Sequence, residues 1–208
     1  MKILELTNTD FAMRHFLAPL LREGRTRGHE MVGACPDGPL LGPLRAEGFR
    51  ILPLPLERRA SISAQANGFA AMVRMMRAEK FDLVHAHMPL SGFFGRWAAK
   101  AAGVPHIAYT CHGFLFNQPS PLTRRAASLA MEWTAGRITD LYLTVSSEEA
   151  ADAKRLLIAR RSITVGNGRD PAVFHPDAAA RMRIRAGFGV PDGRVVVVIV
   201  SRLVRHKG

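Results

Sequence analysis

The sequence predicts an α/β fold in which a doubly wound parallel sheet is covered by helices on both faces. Three observations predict it. Short apolar runs alternate with longer stretches of helical periodicity. Most of those runs are apolar at successive positions, as strands buried on both faces are. Gly28, Gly48 and Gly103 each follow a helical stretch just before the next apolar run, where glycine takes the left-handed conformation that ends a helix.

The expected strands, in order, are residues 2–6, 30–34, 50–53, 83–86, 106–110, 141–145, 162–165 and 195–200. Between them the helical stretches cover residues 11–27, 38–47, 61–79, 90–102, 122–137 and 147–158. The third is the clearest: Ile62, Ala66, Phe69, Val73 and Met76 share one helical face, and Arg74 and Arg77 lie outward. Asp10 is placed to cap the first helix, and Ser146 or Ser147 the sixth, with Glu148 or Glu149 in its first turn. After Asn167, Asp170-Pro171 and His175-Pro176 interrupt regular structure before a short helix near residues 178–186. Residues 1–168 therefore read as one Rossmann-like domain. Residues 169–208 read as a linker and the start of a second domain, whose first strand would be residues 195–200.

The composition bounds the function. A 48% hydrophobic share makes the chain globular. A formal charge of +12 calls for anionic partners. Nucleic acid is disfavoured, because the arginines are scattered and aromatics are only 7% of residues. Cys35 and Cys111 fit neither a metal spacing nor a disulfide framework, so a reducing cytoplasm is expected. The first residues lack the apolar core and cleavage site of a signal peptide, and residues 195–200 fall far short of the roughly 20 that span a bilayer.

In such a sheet ligands bind at the carboxyl ends of the strands, so the polar residues there carry the functional candidates. Thr7-Asn8-Thr9-Asp10 follows the first strand and holds no glycine, which excludes the dinucleotide fingerprint. His85 and His87 share a strand face. A metal would need a third ligand that the sequence does not identify, and hydrogen-bonded imidazoles near a cleft are the simpler reading. His112-Gly113 ends the fifth strand, where loop packing and function are equally served. Asn167-Gly168-Arg169-Asp170 fits a turn, and Arg202 with Lys207 fits either a solvated basic segment or a pair of cations converging on a diphosphate.

Taken in order, VHAHMPLSGFFGRWAAKAAGVPHIAYTCHGF, LTVSSEEAADA, ITVGNGRDPAVFHP and VVVVIVSRLVRHKG resemble segments of the family 4 glycosyltransferases of the GT-B type. YTCHGFLF and the proline-bearing loop after it look like the branch that builds bacterial surface polysaccharides on lipid-linked acceptors. The resemblance implies two Rossmann-like domains facing each other across a cleft, the first holding the acceptor and the second a nucleotide-sugar donor. It places His112 near the transferred sugar as the catalytic candidate, and Arg202 and Lys207 on the donor diphosphate, with no metal or other cofactor. Asn8, Thr9, His87, Gly113, Ser146, Glu148, Asn167, Gly168 and Asp170 would line the cleft. The family's later paired-glutamate motif is absent, and Arg169 stands where an apolar residue is commoner. A chain without the donor half is expected to transfer little sugar alone, and a non-catalytic binding domain is the other reading. Arg58, Arg59, Arg74, Arg77, Phe114, Leu115, Phe116, Arg124, Arg125 and Trp133 would form a face for an anionic membrane surface, ordinary core and solvated arginines being the alternative.

Overall fold

The structure, a computed structural model, describes residues 1–54 and 62–200, with side chains of the long fourth helix described from residue 66. Seven strands form one parallel sheet: β1 (Lys2–Leu6), β2 (Glu30–Cys35), β3 (Arg50–Pro53), β4 (Leu83–His87), β5 (His106–Cys111), β6 (Leu141–Thr144) and β7 (Ser162–Thr164). Their spatial order is β3-β2-β1-β4-β5-β6-β7. The chain winds outward from β1 in one direction and then from β4 in the other. The switch point therefore lies between β1 and β4, where such sheets open a crevice at their carboxyl edge.

Helices cover both faces. A short α1 (Asp10–Ala12) passes through a π-helical turn (Met13–Leu17) into α2 (Ala18–Thr26). These pack with α3 (Gly42–Ala46) on one side of the sheet, where Met13, Leu17, Leu21, Leu44 and Ile51 are buried together. On the other side, α4 (Ile62–Glu79) and α5 (Pro89–Ala102) bury Met72, Met76, Ala98 and Ala99 against Leu4, Leu6, Val32 and Val84. Strand alternation thus sends Leu4 and Leu6 toward α4 and α5, and Ile3 and Glu5 the opposite way. α6 (Leu122–Gly136) and α7 (Ser147–Arg155) complete this unit.

Several expectations are corrected. The first helix is capped by Thr9, whose Oγ1 accepts from Ala12 N at 3.0 Å, rather than by Asp10, which already lies inside it. On α4, Phe69, Val73 and Met76 face the core as expected, but Ala66 is exposed and Met72 is buried in the same cluster. Residues 195–200 form no strand: no described segment pairs with them, and every one of them is exposed. An apolar run cannot become a strand without a neighbouring backbone to complete its hydrogen bonds.

The chain divides into two compact units, Met1–Gly168 and Arg169–Gly208. The second holds α8 (Ala178–Gly187), capped by Asp177, whose carboxylate accepts from Ala180 N at 2.9 Å. Within it Arg185 is buried, and its guanidinium donates to the carbonyls of Pro191, Asp192 and Arg194.

One buried charge pair ties α5 and α6 to the sheet. Arg96 is wholly buried and donates to Glu132 Oε2 at 3.0 Å. Tyr109 and Tyr142 donate to the same carboxylate at 3.1 Å and 3.0 Å, and the Arg96 guanidinium lies 3.8 Å from the Tyr109 ring centroid. α5 comes this close because Gly92 lacks a Cβ, which would stand 2.2 Å from the Tyr109 ring. Glu132→Ala strands a buried guanidinium and is expected to cost about 3–5 kcal/mol in urea unfolding. The double change Arg96→Met with Glu132→Leu is expected to cost much less. A single-variant loss below about 1 kcal/mol would contradict the buried pair.

Candidate functional site

The centre of the site is a charge inside β1. In Lys2-Ile3-Leu4-Glu5-Leu6 the fourth residue is a carboxylate that is 4% exposed, and a carboxylate buried to that degree requires partners. The sheet supplies them. Glu5 stands opposite His85, and His87 opposite Thr110, in the parallel register. His85 and His87 lie on the Glu5 side of the sheet because they are two residues apart on β4.

The contacts form a chain. His87 Nε2 lies 2.8 Å from Glu5 Oε2, and His85 Nδ1 lies 3.2 Å from Glu5 Oε1. His85 Nε2 meets Thr110 Oγ1 at 2.8 Å. His87 Nδ1 meets His112 Nε2 at 3.3 Å. The ring centroids of His87 and His112 are 5.5 Å apart, and Phe16, carried by the π-helical turn, lies 6.3 Å from His112. π-Helical turns recur at functional sites, and this one sets an aromatic ring against the outermost histidine.

Burial and charge decide the protonation states. Burial pushes the Glu5 carboxyl up, but attraction to His85 and hydrogen bonds from both imidazoles outweigh it and hold the group down at about 2. Burial brings the His87 imidazole down to about 4, with His85 adding to the effect and Glu5 opposing it. His112 is lowered by burial and then by His85. At neutral pH the site thus holds an ionised Glu5 beside neutral imidazoles at His87 and His112.

Glu5, His85 and His87 are the group, among the described residues, whose ligand atoms lie close enough to hold a metal ion, all within 4.8 Å of one another. Glu5 is the third member that the two histidines lacked in the sequence. Their separations are those of direct hydrogen bonds, which supports the simpler reading of the two imidazoles. Thr7, two residues beyond Glu5 on the same face, is fully buried, and its Oγ1 has no partner among the described residues.

The other expected residues are distributed along the carboxyl edge. Asn8 and Thr9 are half-buried after β1, and Thr9 serves as the helix cap. Gly113 has φ +112, a conformation that excludes most side chains, and an added Cβ would come 3.7 Å from Glu149 Oε1. That proximity joins the end of β5 to the start of α7. There Ser146 and Glu149 form a capping box, Ser146 Oγ accepting from Glu149 N at 3.2 Å. Glu148 is exposed, as are Asn167 and Gly168. Asp170, in the second unit, accepts from Ala172 N at 2.9 Å in a turn. Arg202 and Lys207 lie outside the described residues, as do Arg58 and Arg59. The structure thus gathers His87, His112 and Gly113 with Glu5, His85 and Thr110. Sequence reasoning missed Glu5 and Thr110, although an acidic residue inside the first apolar strand was a usable signal.

The His87 shift makes acid stability a test. Its unfolded value is near 6.5 and its folded value about 4. The unfolded chain binds the proton first, so stability is full above pH 6.5 and falls as pH drops through that value toward 4. The loss expected from this group is about 2–3 kcal/mol. Urea unfolding at pH 7.5, 6, 5 and 4 should show it, and His87→Gln should flatten the dependence over that window. An unchanged slope in the variant would assign the loss elsewhere.

Comparison with known proteins gives the family. Residues 12–168 match the glycosyl transferase 4-like domain. Over 151 residues the chain is 30% identical to an Escherichia coli UDP-Gal:alpha-D-GlcNAc-diphosphoundecaprenol alpha-1,3-galactosyltransferase, covering 70% of this chain and 38% of that enzyme. Among solved structures it is similar to Anabaena Alr3699/HepE in complex with UDP and glucose, at TM-score 0.61, 18% identity and coverage of 91% and 50% of the two chains. It is also similar to sucrose-phosphate synthase from Thermosynechococcus elongatus, at TM-score 0.65, 16% identity and coverage of 92% and 53%. The chain spans about half, or less, of the length of these relatives. With the sheet order, the switch-point histidines and the family match over most of its length, the chain belongs to the glycosyl transferase 4-like family, and its seven-stranded unit has the Rossmann-like architecture of the GT-B type.

Proposed function

We propose that the protein provides the acceptor side of a retaining glycosyltransferase that moves a hexose-type sugar from a nucleotide-sugar donor to a hydroxyl acceptor in cell-surface polysaccharide or lipid-linked glycan synthesis. The observation that carries this reading is His112 at the open carboxyl end of the β1/β4 switch point, backed by a buried Glu5 network, in a chain of this family. The E. coli relative is named for a UDP-linked galactose donor and a diphosphoundecaprenol-linked acceptor, which supports the same classes here. Arg202 and Lys207 are the residues we assign to the donor diphosphate, where two cations offset the charge that develops on the leaving group without a metal. Asn167 and Gly168 join the cleft-lining set in this reading.

We place the protein in the cytoplasm, on the inner face of the plasma membrane. The support is the basic composition and the exposed Leu122, Arg124, Arg125 and Trp133 of α6. Phe114 and Phe116 do not belong to that face: both are buried and their rings stack at 4.6 Å. Among the described residues no helix is long and apolar enough to cross a membrane.

The test of the transferase reading separates binding from turnover. The purified chain should bind a lipid-diphosphate-linked N-acetylglucosamine acceptor in a ligand-observed NMR titration, and His112→Ala should weaken that binding at least about tenfold, the loss of a hydrogen bond near a buried charged network. Donor turnover by the chain alone should stay near background, because a donor site open on one side does not exclude water. Absent acceptor binding, or binding that ignores His112→Ala, would overturn the acceptor-side assignment of His112, and robust turnover would overturn the expectation that this chain transfers little sugar alone. For the membrane, co-sedimentation should favour vesicles with anionic lipid over neutral ones, and equal binding would sink that part.

A further inference from the structure

The network around Glu5 fixes more than position. A carboxylate only accepts hydrogen bonds, and each neutral imidazole carries one donor and one acceptor. Glu5 faces His87 Nε2 at 2.8 Å and His85 Nδ1 at 3.2 Å, so both of those nitrogens carry protons. The remaining nitrogen of the neutral His87 ring must then accept. His85 Nε2 meets the Thr110 hydroxyl at 2.8 Å. His87 Nδ1 accepts from the group it meets at 3.3 Å, which is His112 Nε2. That nitrogen carries the His112 proton, and Nδ1 of His112 is left as a bare lone pair.

The outer nitrogen is open. His112 Nδ1 has no hydrogen-bond partner among the described residues. It is not one of the buried unpartnered side-chain atoms, which are Thr7 Oγ1 and Arg185 Nε. His112 itself is half-buried, while His87 and Glu5 are closed off from solvent. Water therefore reaches the last nitrogen of the chain and cannot re-orient the links behind it.

From this alternation we propose that Glu5, acting through His87, locks His112 in its Nε2–H tautomer and so presents Nδ1 at the carboxyl edge as an obligate acceptor for a sugar hydroxyl. Glu5 and His87 are positioning residues: neither reaches the crevice, and each acts through the next ring. A ring locked this way takes a hydroxyl proton as a hydrogen bond and offers none back, so it selects a ligand group that can donate. The ligand class rests on the transferase reading; the tautomer lock does not.

The tautomers are read directly by two-bond proton–nitrogen correlation of the imidazoles in the uniformly labelled full chain at pH 8, with no sugar present. His112 is assigned by loss of its signals in His112→Gln. The expected set is protonated Nε2 in His87 and protonated Nε2 in His112, with Nδ1 of each resonating as a bare lone pair. Glu5→Gln removes the acceptor-only group, and the His112 nitrogens should move toward each other as both tautomers become populated. A well-dispersed amide spectrum establishes that the variant is folded; should it not fold, the two tautomers of His87 and His112 in the unchanged protein decide the matter alone. A protonated Nδ1 on His112 in the unchanged chain, or a His112 pattern unmoved in folded Glu5→Gln, would overturn the proposal. Neither result depends on turnover, so failure here and failure of the transferase reading are separable.

Discussion

A carboxylate in the middle of a buried strand is the constraint on which this site rests. Glu5 has water on neither side, and the cost of an isolated charge there would exceed the stability of a typical domain. It is tolerated because β4 runs beside β1 and sets two imidazoles against it in register. The topology that creates the switch point also places beside Glu5 the strand that neutralises its charge. Fold and site therefore depend on one pairing: a slip of one residue between β1 and β4 would turn the histidines to the opposite face.

The molecule buries a second charge by different means. Arg96 and Glu132 sit on helices and are enclosed by two tyrosine hydroxyls and a tyrosine ring. Such a pair adds specificity of packing more than net stability. The Glu5 cluster differs in that its last member, His112, opens to solvent. One network is closed and structural; the other has an end that a ligand can touch.

Much of this was legible in the sequence. The seven strands of the sheet follow the apolar runs closely, because parallel strands buried on both faces leave a strong local signature. Val195–Val200 carries the same signature and forms no strand, since apolarity reports the wish for burial and not the presence of a pairing partner. His87 and His112 were visible as residues at strand ends. Glu5 was not, because its role exists only once β1 and β4 are adjacent, a relation between residues 80 positions apart. The cap at Thr9 shows a smaller version of the same limit: one of two adjacent oxygen-bearing side chains caps, and backbone geometry decides which.

The π-helical turn at Met13–Leu17 has a consequence for how this edge can change over time. Such a turn accommodates one residue more than an α-helix would in the same axial span, so removing a single residue restores a regular helix while leaving the faces before and after it in phase. Leu21 and Ala12 would stay in the core, and the sheet would not register the loss. The ring of Phe16, however, would leave its place beside His112. A one-codon deletion is thus a route by which relatives of this chain can exchange the wall of the crevice without rebuilding the domain behind it.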